Sequence, residues 1–381
     1  MFDSRKLDSY FEENRPKRQV EREYISAQSK WARFVKLFAP CFAAVLVGLM
    51  VVIPNIKKSV DLNANITIPR KNEMEKLHIE DSVFNFIDSK NRVNTVWADS
   101  VDEVESGSQK VKIKNPRGNV PLDSGEININ SQTGYFNRDT SVLELEDNVK
   151  AVINEKTIVN TAKATYSFKK EYGFGNEKVS AVGDWGTMQA EAFTYDKKIN
   201  LLSLKGFNKI TTDKGVLTAD KETKIYRNDN KSISYGNATI RHAKNSLRAD
   251  KIIAYFTDEG KKQLKKLEAF GKAIITKEDK TLHADKIEIL FTLTEKNDIK
   301  TAYAYGNVEI ITPKGTARGK RGVYNPQTQK VDLYDDVTLE QNGNFINGSH
   351  AQTDLVTSIS RITANEKKGG RISGIFYKRK K

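Results

Sequence analysis

The side chains able to do chemistry in this 381-residue chain are few and scattered. Its four histidines, His78, His242, His283 and His350, stand far apart, and no two fall at the short spacing that lets imidazoles share a metal ion. Cys41 is the sole cysteine, which excludes an internal disulfide framework and a thiolate metal site. There is no G-x-S-x-G elbow and no P-loop, and Gly173-Phe-Gly175 lacks the strand-to-helix context of a phosphate cradle. Carboxylates are numerous but sit at turns and at polar strand positions. Catalysis needs a nucleophile, base or metal brought together in one place. These residues therefore predict no enzymatic activity, no cofactor and no metal centre, and leave binding as the function to explain.

The spacing does support burial of apolar matter. In Val331-Asp-Leu333-Tyr-Asp-Asp-Val337-Thr-Leu339-Glu340 the apolar residues keep one parity. Val308 and Ile310 do the same against Asn307 and Glu309, and so do Ile287, Ile289 and Phe291 against Lys286 and Glu288. Alternation of this kind makes a sheet with one apolar face and one wet face. Stacked copies would extend the apolar face into a continuous trough. A trough that closes is a core; one that splays along an edge accepts a long acyl chain. Patterning leaves both open. The candidate lipid-binding residues are Val308, Ile310, Val337, Leu339, Ile287, Ile289, Phe291 and Leu333, with Glu309 and Thr338 facing outward.

Those strands belong to a repeat. The phrase Gly306-Asn307-Val308-Glu-Ile310 recurs as Gly236-Asn237-Ala238, Gly271-Lys272-Ala273 and Asp335-Asp336-Val337, with weaker copies at Gly206 and Asp147-Asn148-Val149. From Gly206 to Asp335 the steps are 30, 35, 35 and 29 residues, and the step from Asp147 to Gly206 is 59, about two units. A second phrase lies between the copies: Ala219-Asp220-Lys221, Ala249-Asp250-Lys251, Ala284-Asp285-Lys286 and the degenerate Arg318-Gly319-Lys320-Arg321. We read each unit as a strand, a polar turn, a second strand with its Gly-Asn bend, and a return. Such a period marks units that bury their apolar faces only against neighbours.

Earlier strands are expected at Phe84–Asp88, Thr95–Asp99, Val111–Lys114, Gly125–Asn130 and Val142–Asp147, then at Thr157–Val159, Ala164–Phe168, Ala192–Tyr195 and Leu201–Leu204. Gly173, Gly175, Gly183 and Gly186 are expected to mark bends between them. Residues 261–268 have helical propensity but occupy a strand slot of the repeat, so a strand or turn is expected there.

Residues 1–36 read as a polar cytoplasmic tail. Residues 37–53 are uncharged and apolar, and seventeen residues at ~1.5 Å each span roughly 26 Å, enough for a short transmembrane anchor. The long preceding tail and the lack of a small-x-small site after Ile53 favour an uncleaved anchor over a signal peptide. Lys30, Arg33 and Lys36 put its amino end in the cytoplasm, which would leave the bulk of the chain on the far side of the membrane. A division near residue 215 gives β segments 54–214 and 215–377, followed by a basic tail at 378–381. The 63 Lys and Arg against 49 Asp and Glu, a formal charge of +14, favour an anionic partner. Nucleic acid is disfavoured, since the cations are dispersed among acids and the anchor places them outside the cytoplasm.

The stretch from Ala317 through Tyr324-Asn-Pro-Gln-Thr-Gln-Lys-Val-Asp-Leu-Tyr-Asp-Asp-Val-Thr-Leu339 to Asn344, with its sequel Ile346–Leu355, resembles the OstA-like repeat of the LptA family. Residues 215–365 resemble that domain throughout. The anchor and the phrase Leu122-Asp-Ser-Gly-Glu-Ile-Asn-Ile-Asn-Ser-Gln-Thr-Gly134 with Leu143–Val149 resemble the inner-membrane LptC family. The two are usually separate chains, and this one looks like both joined. The resemblance implies an all-β fold, a stacked antiparallel β-jellyroll with an open V-shaped groove. It implies lipopolysaccharide as ligand, accepted from an inner-membrane ABC transporter and passed toward the outer membrane. It also implies other jellyroll bridge or outer-membrane assembly proteins as partners, docked by edge strands. The alternative is a membrane-anchored β-solenoid adhesin or structural protein with a closed core.

Overall fold

The computed structural model describes residues 78–364 and 372–375, apart from residues 106, 124, 259–261, 295, 355 and 357–359. The expected cytoplasmic tail, the anchor at 37–53 and the basic tail at 378–381 lie outside the described residues. The described residues fall within one compact unit.

The described residues form 24 β-strands and no helix. First come β1 (His78–Ile87), β2 (Val93–Glu103), β3 (Lys110–Lys114), β4 (Arg117–Leu122), β5 (Gly125–Asn130), β6 (Thr133–Asn137), β7 (Val142–Ile153) and β8 (Thr157–Ser167). Then follow β9 (Tyr172–Gly175), β10 (Val179–Gly183), β11 (Gly186–Asp196), β12 (Leu201–Thr212), β13 (Gly215–Ala219), β14 (Glu222–Tyr226), β15 (Lys231–His242) and β16 (Asn245–Phe256). Last are β17 (Leu264–Lys277), β18 (Lys280–Phe291), β19 (Ile299–Thr312), β20 (Gly315–Asn325), β21 (Lys330–Gln341), β22 (Asn344–Asp354), β23 (Ser360–Thr363) and β24 (Ser373–Ile375). Residues 264–268 are strand, so repeat register prevails over helical propensity there. The expected strands at 157–159 and 164–168 merge into β8, while Gly173 and Gly175 lie inside β9 rather than between strands.

Every pairing between the described strands is antiparallel, as in β15–β16, β17–β18 and β21–β22. A parallel β-helix is therefore not the architecture, and the solenoid alternative loses its structural basis. From β15 to β22 the chain is a meander of long strands, each interrupted near its middle by a register shift, between Tyr235/Ala238, Phe270/Ala273, Tyr305/Val308 and Tyr334/Val337. The earlier part repeats the plan with strands cut at the same place. β3 and β4 both pair with β2, and β13 and β14 both pair with β12. Each long strand thus contributes its halves to two limbs. The first limb carries Val96, Val159, Ile240 and Ile310; the second carries Ile113, Leu204, Ile287 and Leu333. Buried residues of both limbs from β13 to β22 share one apolar cluster, so the limbs face each other across a common interior.

The corner between the limbs is what the two repeated phrases encode. The first phrase is not an inter-strand turn. It places consecutive left-handed residues mid-strand: Gly236 and Asn237 (φ 81° and 44°), Gly306 and Asn307 (72° and 45°), Asp335 and Asp336 (65° and 55°). Gly, Asn and Asp tolerate that conformation best. The second phrase, read above as a turn, lies in the neighbouring strand opposite the bulge. Asp285 Oδ2 accepts a hydrogen bond from Asn307 Nδ2 at 2.9 Å, and Asp220 Oδ2 accepts one from Asn237 Nδ2 at 2.8 Å. A Cβ on Gly306 would stand 2.3 Å from Asp285 Oδ2, so the carboxylate fits only over a glycine. In the degenerate copies the charges are exchanged: Arg321 Nε approaches Asp335 Oδ2 at 4.0 Å, and Lys320 pairs with Asp336.

Candidate functional site

Apolar side chains meet neighbour to neighbour along the inner face of the first limb. Across successive ladders Phe84 pairs Val96, then Gly118, Ile129, Ala151, Val159 and Ala181. The row goes on through Met188, Ile210, Leu217, Ile240, Leu247 and Ile275. It ends with Leu282, Ile310, Ala317, Leu339 and Ile346. At ~4.8 Å between neighbouring strands the row has a contour of roughly 80 Å. It crosses the Thr212–Gly215 hairpin turn without a polar residue.

All eight candidate residues belong to one apolar cluster on β18, β19 and β21, and two of them, Ile310 and Leu339, stand in that row. Beside the corner, Ile287, Val308 and Val337 are each 1% exposed. Farther along the limbs Ile310, Leu339 and Phe291 are only half-buried, as are Ile275, Leu282 and Ala317. Burial thus falls from the corner toward the strand ends, as the interior of a V does. Glu309 and Thr338 face away: Glu309 Oε1 accepts from Arg318 Nε at 2.8 Å, and Thr338 Oγ1 donates to Asn347 Oδ1 at 2.8 Å.

The inner lining of the second limb is not continuous. Its row runs from Leu204 to Thr223 and Ser234 before apolar residues resume at Ile252, Ala269 and Ile287. Thr223 Oγ1 bonds Asn208 Oδ1 at 2.7 Å and Ser234 Oγ at 3.0 Å, while Asn208 Nδ2 donates to the Gly206 and Ala219 carbonyls. This buried polar waist separates the apolar cluster around Leu204 from the one that begins at Ala219. Strand alternation hides it, because Thr and Ser are ordinary strand residues.

The amino-terminal end has features that sequence patterning missed. Phe84 and Phe86 on β1 reach the second limb, where Phe86 stacks on Phe168 at 3.9 Å and meets Phe136 at 5.3 Å between centroids. Just beyond, the β1–β2 turn is fastened across the mouth. Lys197, after β11, bonds Asp88 Oδ2 at 3.0 Å and Asn94 Oδ1 at 3.0 Å, and the Ser89 N–H donates to Glu171 Oε1. The Lys197 and Asp88 side chains are 2% and 1% exposed. Burial pushes the Asp88 carboxyl up, but donors from the Arg92 backbone, the Lys197 ammonium, the Arg92 guanidinium and the Lys90 backbone more than offset it and hold the carboxyl far below its usual range. The pairing joins groups about a hundred residues apart, so nothing in local sequence announces it.

Among the described residues no group of His, Cys, Asp and Glu is placed to hold a metal ion. His350 stacks on Tyr334 and bonds Asp332, and His242 bonds the Lys214 carbonyl. What the described residues offer is a bent sheet with an apolar inner face.

Two family models match this chain in succession. Residues 42–213 match the model described as lipopolysaccharide-assembly, LptC-related, and residues 263–358 match that described as LptA/(LptD N-terminal domain) LPS transport protein. No curated protein matches the chain. Among solved structures, LptH from Pseudomonas aeruginosa, described as the LptA homologous periplasmic component of the conserved lipopolysaccharide transport device, is similar at 12% identity. That match covers 42% of this chain and 94% of that one, with a TM-score of 0.21. The chain joins an LptC-like part to an LptA-like part. The families these parts match are transport bridge proteins, not enzymes.

Proposed function

We propose that this protein is an inner-membrane-anchored periplasmic bridge that accepts lipopolysaccharide from an ABC transporter and passes it toward the outer membrane. The unbroken inner row from Val96 to Ile346 supports this reading. Acyl chains gain ~0.8 kcal/mol per CH₂ removed from water, and a uniform apolar lining lets them slide with little change in that gain. The half-buried positions toward the strand ends, Ile310 and Leu339 among them, are where the limbs part to admit the chains. Val308, Val337, Ile287, Ile289, Leu333 and Phe291 form the floor and walls. The division near 215 then separates a receiving segment, 54–214, from a conducting segment, 215–377, joined covalently so that one docking step between separate proteins is replaced by an intramolecular contact. Direction comes from the partner ATPase. Exposed edge strands dock the next jellyroll by strand addition.

Photo-crosslinking in cells tests this. A photoreactive residue at Ile310 or Leu339 captures lipopolysaccharide, whereas one at Glu309 or Thr338 does not. Capture from the outward positions alone refutes the assignment.

A further inference from the structure

Where the β1–β2 turn is fastened across the mouth, a small solvent-open recess remains. Three cations from distant parts of the chain line it: Arg92 from the β1–β2 turn, Lys197 after β11, and Arg227 after β14. Two of them are partly spent. Arg92 gives Nε to Asp88 and Nη1 to Asp123, and Lys197 uses two of its three donors on Asp88 and Asn94. Asp123, the carboxylate on the recess wall, is itself held by Lys90 at 2.7 Å and Arg92 at 2.9 Å, and the Lys90 hydrogen bond leads in keeping its carboxyl below the usual range. Arg227 differs. Its backbone is fixed by hydrogen bonds to Asn200 and Asn230, yet among the described residues its guanidinium forms no ion pair of the kind that Arg92 and Lys197 make. Arg227 therefore offers the recess a guanidinium with five donors in a planar fork.

We propose that this recess binds an oxyanion, namely a phosphate monoester or inorganic phosphate, through Arg227 with help from Arg92 and Lys197. A planar guanidinium matches two phosphate oxygens at once, and charge-assisted bonds of this kind are the strong ones. The recess adjoins the interior. Tyr195, on its wall, pairs across the ladder with Leu202, and Leu202 with Ile225. One amphiphile can therefore rest its acyl chain on the lining and its phosphate in the recess. The oxyanion site stands on its own geometry; the headgroup as the source of the phosphate rests on the lipid-carrying function proposed above.

The experiment uses the full chain in a nonionic detergent at fixed ionic strength. Dioctanoyl phosphatidic acid, dioctanoylglycerol and inorganic phosphate are each titrated by calorimetry against the natural protein, Arg227→Gln and Arg227→Lys. Phosphatidic acid is expected to bind at least tenfold more tightly than dioctanoylglycerol. Arg227→Gln erases that preference without changing dioctanoylglycerol binding, and Arg227→Lys keeps part of it. Among the described residues the Arg227 side chain makes no ion pair, so neither variant should lower the melting temperature. Inorganic phosphate binding as tightly as phosphatidic acid, and lost in Arg227→Gln, supports the site with a free oxyanion as its ligand. Arg227-dependent phosphate binding with no binding of either lipid supports the site but sinks the lipid-carrying function. Equal binding of the two lipids, or a preference that survives Arg227→Gln, overturns the site.

Discussion

Replacing Ile287 and Ile310 by alanine, one at a time, separates the floor of the V from its opening. Ile287 lies beside the corner with 1% of its surface exposed, whereas Ile310 is only half-buried. Ile287→Ala removes three carbons at ~0.8 kcal/mol each, about 2.4 kcal/mol, and the cavity left behind brings the cost into the range of about 2–5 kcal/mol. At Ile310 about half that area is in play and neighbours can collapse toward the open side, so the cost is roughly 1 kcal/mol. A difference of ~2 kcal/mol is about thirtyfold in an equilibrium constant, at ~1.4 kcal/mol per tenfold. Because stacked units lean on their neighbours, the loss should be local, and native-state hydrogen exchange reads it. Protection in β17, β18 and β19 should fall about thirtyfold further in Ile287→Ala than in Ile310→Ala. Crosslinking of lipid from Leu339 should weaken more in Ile310→Ala. Equal losses of protection at the two sites would show an evenly sealed core and refute the V.

Three other outcomes are expected. Asp88→Asn leaves the Lys197 ammonium buried without its counter-ion and should cost about 3–5 kcal/mol in chemical denaturation, while Asp88→Asn combined with Lys197→Met, which keeps an acceptor for the Lys90 and Arg92 N–H groups, should restore part of that loss. The same pair gives acid sensitivity. The folded Asp88 carboxyl titrates below its unfolded value, so its stabilisation is complete above ~pH 4 and is lost as pH falls through the lowered value. Acid titration of Asp88→Asn with Lys197→Met should lack that component of the loss. Gly306→Ala meets both a left-handed φ of 72° and the Asp285 carboxylate, so it should cost about 1–3 kcal/mol by thermal melting, with partial relief in Asp285→Ala.

Much of the inner face was legible because strand side chains alternate strictly. The parity of Val308 and Ile310, and of Ile287 and Ile289, places each on the buried side where the structure has it. The repeat was legible too, but its meaning was not. In Leu282-His-Ala284-Asp-Lys-Ile287 the buried residues Ala284 and Ile287 are three apart, which breaks the alternation. That break is the corner, and a polar turn was the expectation for it. The match between Asp285 and Asn307, and the charge exchange at Lys320 and Asp336, are pairings between strands that sequence order does not reveal.

By itself the sequence determined an antiparallel all-β chain with one apolar face, its repeat length, and its likeness to two transport families, because periodicity and turn chemistry are local properties. Only the tertiary structure decided that each strand bends to put its halves in facing limbs. It alone set the polar waist of Asn208, Thr223 and Ser234 within the lining, and fastened Asp88 to Lys197 across the mouth. These depend on which residues meet after distant strands are brought into register, and that distance in sequence carries no local signature.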